Sequence, residues 1–421
     1  MQGERQPTSK DRRKGKYVRP LVVGIGLVLV LALLVNGLLS TPEKALAAFD
    51  TARAVADEDN AALIYAELLR GQEVVSFQPS RQLEAVLDPV FLHERYLVRT
   101  ELVELELPQS LLDSNDDSHT LRHPWRTAEY PELRQWLDTH QARIDRLLEA
   151  ARKPACWFPL SPRPKRVALF EVPLGAFRQN VIILRRAANN NMGEGSITAG
   201  LVKYQALRSI GRHMMEQPAA SHLEHGIACE VVGLRGQITF VVTGSATERH
   251  LDALAAGIGD LETHWESVRN DVVRVRDLFS QTLKDHRSFV YCVSNWFGRI
   301  RRGQSEWWLK DSIRTVYHRM LCERRALHIL IELRRFRNRT GHWPKRLDEV
   351  APALPPLALV DPQNNGSYVY ERTDKGFRLY STGPNARDEG GQYAWRGPDD
   401  WPIWPPRVVR PESKPADAND V

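Results

Sequence analysis

The longest apolar run of the chain lies near its N-terminus. Residues 21–39 read LVVGIGLVLVLALLVNGLL, contain no charged side chain, and include Asn36 as the only strongly polar one. Nineteen residues at the rise of an α-helix span about 28 Å, close to the hydrocarbon thickness of a bilayer. Because every backbone N–H and C=O must be paired inside lipid, the run predicts a transmembrane helix over 21–39.

The charges before this run predict its orientation. Residues 1–20 hold seven basic and two acidic side chains, a net charge of +5 out of +6 for all 421 residues. Cations flank the cytoplasmic end of a membrane helix, so we expect residues 1–20 in the cytoplasm and the body outside the cytoplasmic membrane. A cleavable signal peptide, with Ala45-Leu46-Ala47 as its processing site, and a buried helix of a soluble protein are the alternatives.

Helical periodicity dominates the body. Thr41-Pro42 is a helix start signal, and apolar residues recur at helical spacing up to Asp57 and again over 61–69. Residues 72–165 predict short helices and loops. Farther on, three apolar stripes predict long antiparallel helices, and together these patterns predict a mostly helical domain over 41–310. The stripes are Leu223-Ile227-Val231-Leu234-Ile238-Val241, Leu251-Leu254-Ile258-Leu261-Trp265, and the segment Val272 to Leu283.

Composition and charge narrow the function classes. A chain with 42% hydrophobic and 26% charged residues is a folded protein rather than a disordered one. Outside residues 1–20 the charge is nearly balanced, which argues against a nucleic-acid partner. The four cysteines are too few for a disulfide scaffold and form no C-x-x-C pair, so disulfides and buried thiols both remain open. They are Cys156, Cys229, Cys292 and Cys322.

Candidate chemistry in the helical body is sparse. His222-Leu223-Glu224-His225 places two histidines on one helical face, but it is neither H-E-x-x-H nor H-x-x-E-H. No G-x-S-x-G, Walker A or Rossmann fingerprint occurs. Six arginines over 324–339 predict a solvated, basic helix face, and an anionic partner is the alternative interpretation.

The last hundred residues have a separate pattern. An apolar stripe from Ile313 to Leu333 predicts a long amphipathic helix that stops at Gly341. Two short alternating segments, 367–370 and 377–381, flank a polar turn with a glycine and predict a β-hairpin. A module therefore extends over 311–408, and residues 409–421 are expected to be a disordered tail.

The order of the motifs in this module resembles the soluble part of the type II secretion major pseudopilin, the G-type. The segments that carry the resemblance are Thr340-Gly341-His342-Trp343-Pro344, Asp361-Pro362, Tyr368-Val369-Tyr370, Leu379-Tyr380-Ser381, Gly383-Pro384-Asn385 and Gly390-Gly391. The gap between Pro362 and Tyr368 is one residue longer than in that family. The resemblance covers about 90 residues and implies a long helix packed on an antiparallel sheet of about three strands.

The resemblance also implies a calcium ion in the C-terminal loop. The matching positions are Asp388 and, in the trailing acidic pair, Asp399 or Asp400. Hard cations need several oxygen ligands on a loop that wraps them. Asn385 stands where an acid is usual, and Arg387 intrudes, so a loop closed by hydrogen bonds alone is the alternative.

The chain differs from a true pseudopilin. Some 270 residues separate the apolar run from the module, and the prepilin pattern is absent because a cut after Gly15 would put Pro20 where a Glu is needed. We therefore expect a mainly α, membrane-anchored extracytoplasmic interaction or structural protein, with the lipid bilayer and envelope proteins as partners. An anchored hydrolase with a site in the helical middle is the alternative, and direct participation in a secretion filament is a third possibility.

Overall fold

The computed structural model describes residues 42–69, 116–160, 167–285, 313–393 and 398–406. Eleven α-helices lie in these ranges. They are α1 (Pro42–Ala52), α2 (Ala61–Leu69), α3 (Asp116–Arg122), α4 (Pro131–Thr139), α5 (Gln141–Arg152), α6 (Leu174–Gly193), α7 (Ile197–Met215), α8 (Ala220–Thr243), α9 (Glu248–Gly257), α10 (Trp265–Asp285) and α11 (Arg314–Thr340). Short 3₁₀ turns connect several of them, and the mainly α class expected from the sequence is confirmed.

A three-stranded antiparallel sheet follows α11. Its strands are β1 (Val369–Thr373), β2 (Gly376–Ser381) and β3 (Trp401–Trp404), in the order β1-β2-β3. Glu371 faces Arg378 across the hairpin, and a bulge between Leu379 and Tyr380 shifts the pairing of β2 with β3. The expected module of one long helix and a small sheet is therefore present.

The centre of the bundle is the crossing of α7 with α8. A Cβ atom built on Gly211 of α7 would lie 2.6 Å from the Glu230 backbone nitrogen and 2.6 Å from the Gly226 carbonyl oxygen. No side chain fits there, so the two backbones touch. Helix α8 also packs against α11, and this contact joins the C-terminal helix to the body.

Buried arginines fasten α11 to the body. Arg324 donates to both carboxylate oxygens of Glu230 on α8, at 2.9 and 2.7 Å, and both side chains are buried. Arg325 donates to the carbonyl oxygen of Leu261 at 2.9 Å. Arg334 donates to the carbonyl oxygen of Val242 at 3.1 Å, at the end of α8 where carbonyl groups lack helical partners. The expectation of a solvated basic face was therefore wrong for these three arginines, because each finds an acceptor inside the bundle.

One described helix passes a length and composition test for membrane spanning. That helix is α8, and 72% of its most apolar window is buried inside the protein. A buried core helix meets the same criteria, and α8 occupies the centre of this bundle. The predicted transmembrane segment 21–39, the cytoplasmic segment 1–20 and the tail 409–421 lie outside the described residues.

Most of the predicted helices are confirmed, with one correction. The stripe over 223–241 forms α8, and the segment from Val272 to Leu283 lies in α10. The stripe from Leu251 to Trp265 is not one helix, because α9 ends at Gly257, Gly259 has a φ of 82°, and Trp265 opens α10. Cys156, Cys229 and Cys322 are buried free thiols, and Cys292 lies outside the described residues.

Candidate cation site in the C-terminal module

The motif residues of the module converge at the end of β2. Asp361 is fully buried and accepts a hydrogen bond from the Gln363 backbone N–H at 2.9 Å. The Gln363 side chain donates to the Ser381 hydroxyl at 2.6 Å. Asn364 donates to the carbonyl oxygen of Gly383 at 2.8 Å. These bonds fix the start of the loop that runs from β2 to β3.

Gly383 brings the loop against the acidic pair before β3. Its φ is 65°, and a Cβ atom there would lie 2.4 Å from the Asp399 carbonyl oxygen. Such a close approach in a left-handed conformation requires glycine. The opening of the loop is therefore held beside Asp399 and Asp400.

Three carboxylates meet at this point. One oxygen from each of Glu389, Asp399 and Asp400 lies within 4.8 Å of the others, and among the described residues no other group of His, Cys, Asp and Glu is arranged in this way. Asp400 is fully buried, whereas Glu389 and Asp399 are half-buried. The cluster offers oxygen ligands, the type that calcium and magnesium prefer.

Hydrogen bonds satisfy only part of the cluster. One Asp400 oxygen, Oδ2, accepts the backbone N–H groups of Glu389 at 2.9 Å and Gly391 at 2.7 Å. The Asp399 backbone N–H donates to Glu389 at 2.7 Å. The Oδ1 atoms of Asp399 and Asp400 are buried and have no hydrogen-bond partner among the described residues. A bare carboxylate oxygen is costly to bury, so both atoms favour a proton or a cation.

The pKa values of the cluster also indicate that its carboxylates favour a proton or a cation. Burial raises the pKa of Asp399 and the Glu389 charge raises it further, although the backbone N–H of Asn385 and the Arg319 charge partly offset the increase. Burial also raises the pKa of Asp400, although the N–H groups of Gly391 and Glu389 partly offset the increase. Three anions held close together repel one another, and a divalent cation would remove that repulsion.

The sequence-derived site residues are only partly brought together. Asp399 and Asp400 meet in the cluster, but Asp388 is exposed and its Oδ1 accepts bonds from the Tyr380 hydroxyl and the Gly390 N–H, both at 2.9 Å. The neighbouring Glu389 takes part in the cluster instead. Sequence reasoning missed Glu389, and its adjacency to the Gly390-Gly391 turn was the available signal.

The loop is also tied to α11. The Arg319 guanidinium lies 4.6 Å from the ring centre of Tyr393 and 4.7 Å from that of Trp401. The Trp401 indole N–H donates to Glu323 at 3.2 Å. Helix, loop and β3 therefore form one packed unit around the carboxylates.

The histidines of the helical body have local roles. The ring of His213 bonds the Tyr65 hydroxyl at 2.9 Å and the Lys153 carbonyl oxygen at 3.0 Å. His225 bonds the Ser221 carbonyl oxygen at 2.7 Å, so its Nδ1 carries the proton. The Nε2 atoms of His222 and His225 are buried and have no hydrogen-bond partner in the described part of the chain, and burial lowers the pKa of His222 to about 3 and that of His225 to about 4. Neither belongs to a three-ligand group within the described ranges.

Comparisons with protein-family models, with curated proteins and with solved structures found no match to this chain.

Proposed function

We propose that this chain is a membrane-anchored extracytoplasmic interaction protein whose C-terminal, pseudopilin-like module is completed by a calcium ion. The observation that carries the proposal is the cluster of Glu389, Asp399 and Asp400, in which two buried carboxylate oxygens have no hydrogen bond from any residue that the structure describes. The apolar run over 21–39 and the cations before it support the anchor and its orientation.

Calcium suits the cluster because it accepts six to eight oxygen ligands in flexible geometry. Three carboxylates supply part of such a shell, and water completes it. Binding of the ion would hold the loop against β3 and so stabilise the surface that the module presents. Its role in this proposal is structural, and no catalytic step is assigned to it.

The test of the calcium proposal is thermal unfolding of the full-length protein in detergent, with calcium and with a chelator. A ligand at one hundred times its dissociation constant stabilises the folded state by about 2.7 kcal/mol, so calcium should raise the unfolding midpoint. Asp400→Asn keeps an oxygen acceptor for the two N–H groups but removes the charge, and the shift should disappear. Asp374→Asn, at an exposed residue of the β-hairpin turn, is the matched control and should keep it.

The anchor is tested separately by protease treatment of intact spheroplasts. Digestion of the body with survival of an N-terminal tag is the expected pattern. A protected body with a digested tag would overturn the proposed orientation and leave the calcium proposal standing.

A further inference from the structure

A cleft of about 450 Å³ opens on the face of the sheet that points away from α11. Alternation along the strands builds it, because Leu379 and Ile403 point into the core whereas Pro402 and Trp404 point outward. Residues 390–393 form one wall, and the two prolines after β3 form another. The rings that line it are Tyr380, Tyr393, Trp404, Pro402, Pro405 and Pro406.

The cleft has no uncompensated charge among its described residues. Arg378 lies at its edge, but the guanidinium pairs with Glu371 on β1 and donates to the Gly390 carbonyl oxygen at 3.0 Å. An anionic ligand would have to compete with that carboxylate for the same guanidinium. Because the one charged side chain among its described residues is already paired, the cleft favours a ligand without net charge.

The hydroxyl groups of the cleft are already used. The Tyr380 hydroxyl donates to Asp388 at 2.9 Å, and the Tyr393 hydroxyl accepts from Arg319 at 3.3 Å. The Trp404 indole N–H has no hydrogen bond to any described residue, and its ring is half-buried at the rim. Among its described residues the cleft thus offers ring faces, the Trp404 N–H and the side-chain amide of the exposed Gln392.

We propose that this cleft binds a neutral, proline-rich peptide segment of a partner protein in the polyproline II conformation. Such a segment has no internal backbone hydrogen bonds, so its carbonyl groups are free to accept the Trp404 N–H. Proline rings pack well in aromatic-lined grooves, and the preformed helix loses little entropy on binding.

The inference rests on the proposed interaction function and names the chemistry of the partner. It does not require calcium, although Asp400 holds the Gly391 N–H in the wall of the cleft. Loss of peptide binding with intact calcium stabilisation would overturn this inference alone. Peptide binding without any calcium effect would overturn only the calcium part of the proposed function.

The experiment is fluorescence anisotropy with a labelled ten-residue oligoproline and the full-length protein in detergent. Oligoproline should bind, and a Gly-Ser peptide of the same length should not. Affinity should change less than twofold between 50 and 500 mM salt, because no charge is paired on binding. Binding of the Gly-Ser peptide with equal affinity, a steep salt dependence, or displacement of the oligoproline by a neutral hexasaccharide would each contradict the proposal.

Variants locate the binding to the cleft. Trp404→Ala should weaken binding at least tenfold, because it removes both an aromatic packing surface and the N–H donor. Leu357→Ala, at an exposed apolar residue of the same module outside the cleft, should bind like the wild type. Trp404→Phe keeps the packing of a ring and loses the N–H, so it should fold normally and bind about fivefold more weakly. Unchanged affinity in Trp404→Phe and Trp404→Ala would refute the site.

Discussion

The buried ion pair between α8 and α11 gives a quantitative prediction about stability. Glu230 is inaccessible to solvent and Arg324 is 7% exposed. Burial would raise the pKa of Glu230, but Arg324 and Arg208 outweigh it and the pKa is lowered. Burial would lower the pKa of Arg324, but Glu230 outweighs it and the pKa is raised. Both groups are therefore charged at neutral pH, and each depends on the other.

The perturbation is Glu230→Gln. It leaves Arg324 buried without a counter-charge, and Arg208, 3.6 Å from the carboxylate, loses the same partner. Removal of one partner of a buried pair costs about 3–5 kcal/mol in the free energy of unfolding. The double variant Glu230→Gln with Arg324→Met removes both charges, so it should recover about 2 kcal/mol relative to the sum of the losses in Glu230→Gln alone and Arg324→Met alone.

Urea unfolding of the full-length protein in detergent, followed by circular dichroism, measures these differences. Asp348→Asn is the control, because Arg346 and Asp348 form an ion pair whose side chains are 78% and 75% exposed. We expect this exposed change to cost less than about 0.5 kcal/mol. A cost below about 1 kcal/mol for Glu230→Gln, or strict additivity in the double variant, would refute the reasoning.

Two further predictions concern the helical body. The lowered pKa values of His222 and His225, against about 6.5 in the unfolded chain, mean that stability is lost as pH falls below 6.5, by about 2 kcal/mol per histidine between pH 7 and pH 5. In urea unfolding at pH 7 and pH 5, the double variant His222→Gln with His225→Gln should lose less stability than the wild type, by about 2 kcal/mol for each histidine removed. The variant His342→Gln, at an exposed histidine, should lose as much as the wild type. Burial raises the pKa of Glu224 to about 8, so Glu224 favours the folded state as pH falls, opposite to the histidines. Glu224 is present in the wild type and in both variants, so its contribution cancels in the comparison. An equal loss of stability at pH 5 in the wild type and the double variant would refute the role given to His222 and His225. Gly211→Ala should lower the free energy of unfolding by about 1–3 kcal/mol, because the added Cβ would collide with the backbone of α8. This loss is expected although alanine has the better helix propensity. A variant as stable as the wild type, or more stable, would contradict the close crossing of α7 and α8.

The sequence predicted the elements whose signals are local. Helix α11 ends directly before Gly341, as its stripe and the glycine indicate, and the hairpin forms around the turn that precedes Gly376. Both depend on backbone preferences and spacing within a few residues. The long stripe of α8 was equally readable, since apolar residues at three- and four-residue steps define one face of a helix.

The arginines of α11 could not be interpreted from their own segment. Arg324 looks like a surface residue until Glu230, 94 residues away, is placed beside it. The same holds for Arg334, whose acceptors are the carbonyl oxygens of Val242, in the last turn of α8, and of Gly244, directly after it. Buried polar partners are set by the packing of distant helices, and single-sequence patterns do not report that packing.

The carboxylate cluster was half predicted. Asp399 and Asp400 are adjacent in the sequence, so the order of the motifs was enough to predict that both lie at the same site. The choice between Asp388 and Glu389 depends on the direction of each side chain. Gly390 and Gly391 follow with φ values of 75° and 72°, the N–H groups of Glu389 and Gly391 both bond to Asp400, and Asp388 is exposed.

The most direct test of the central claim is titration calorimetry of the full-length protein with calcium. We predict that wild type binds an ion that Asp399→Asn with Asp400→Asn does not bind, and that Asp374→Asn and wild type bind equally. Absence of calcium binding by the wild type, or unchanged binding by the double variant, would contradict the claim that a cation completes the C-terminal module.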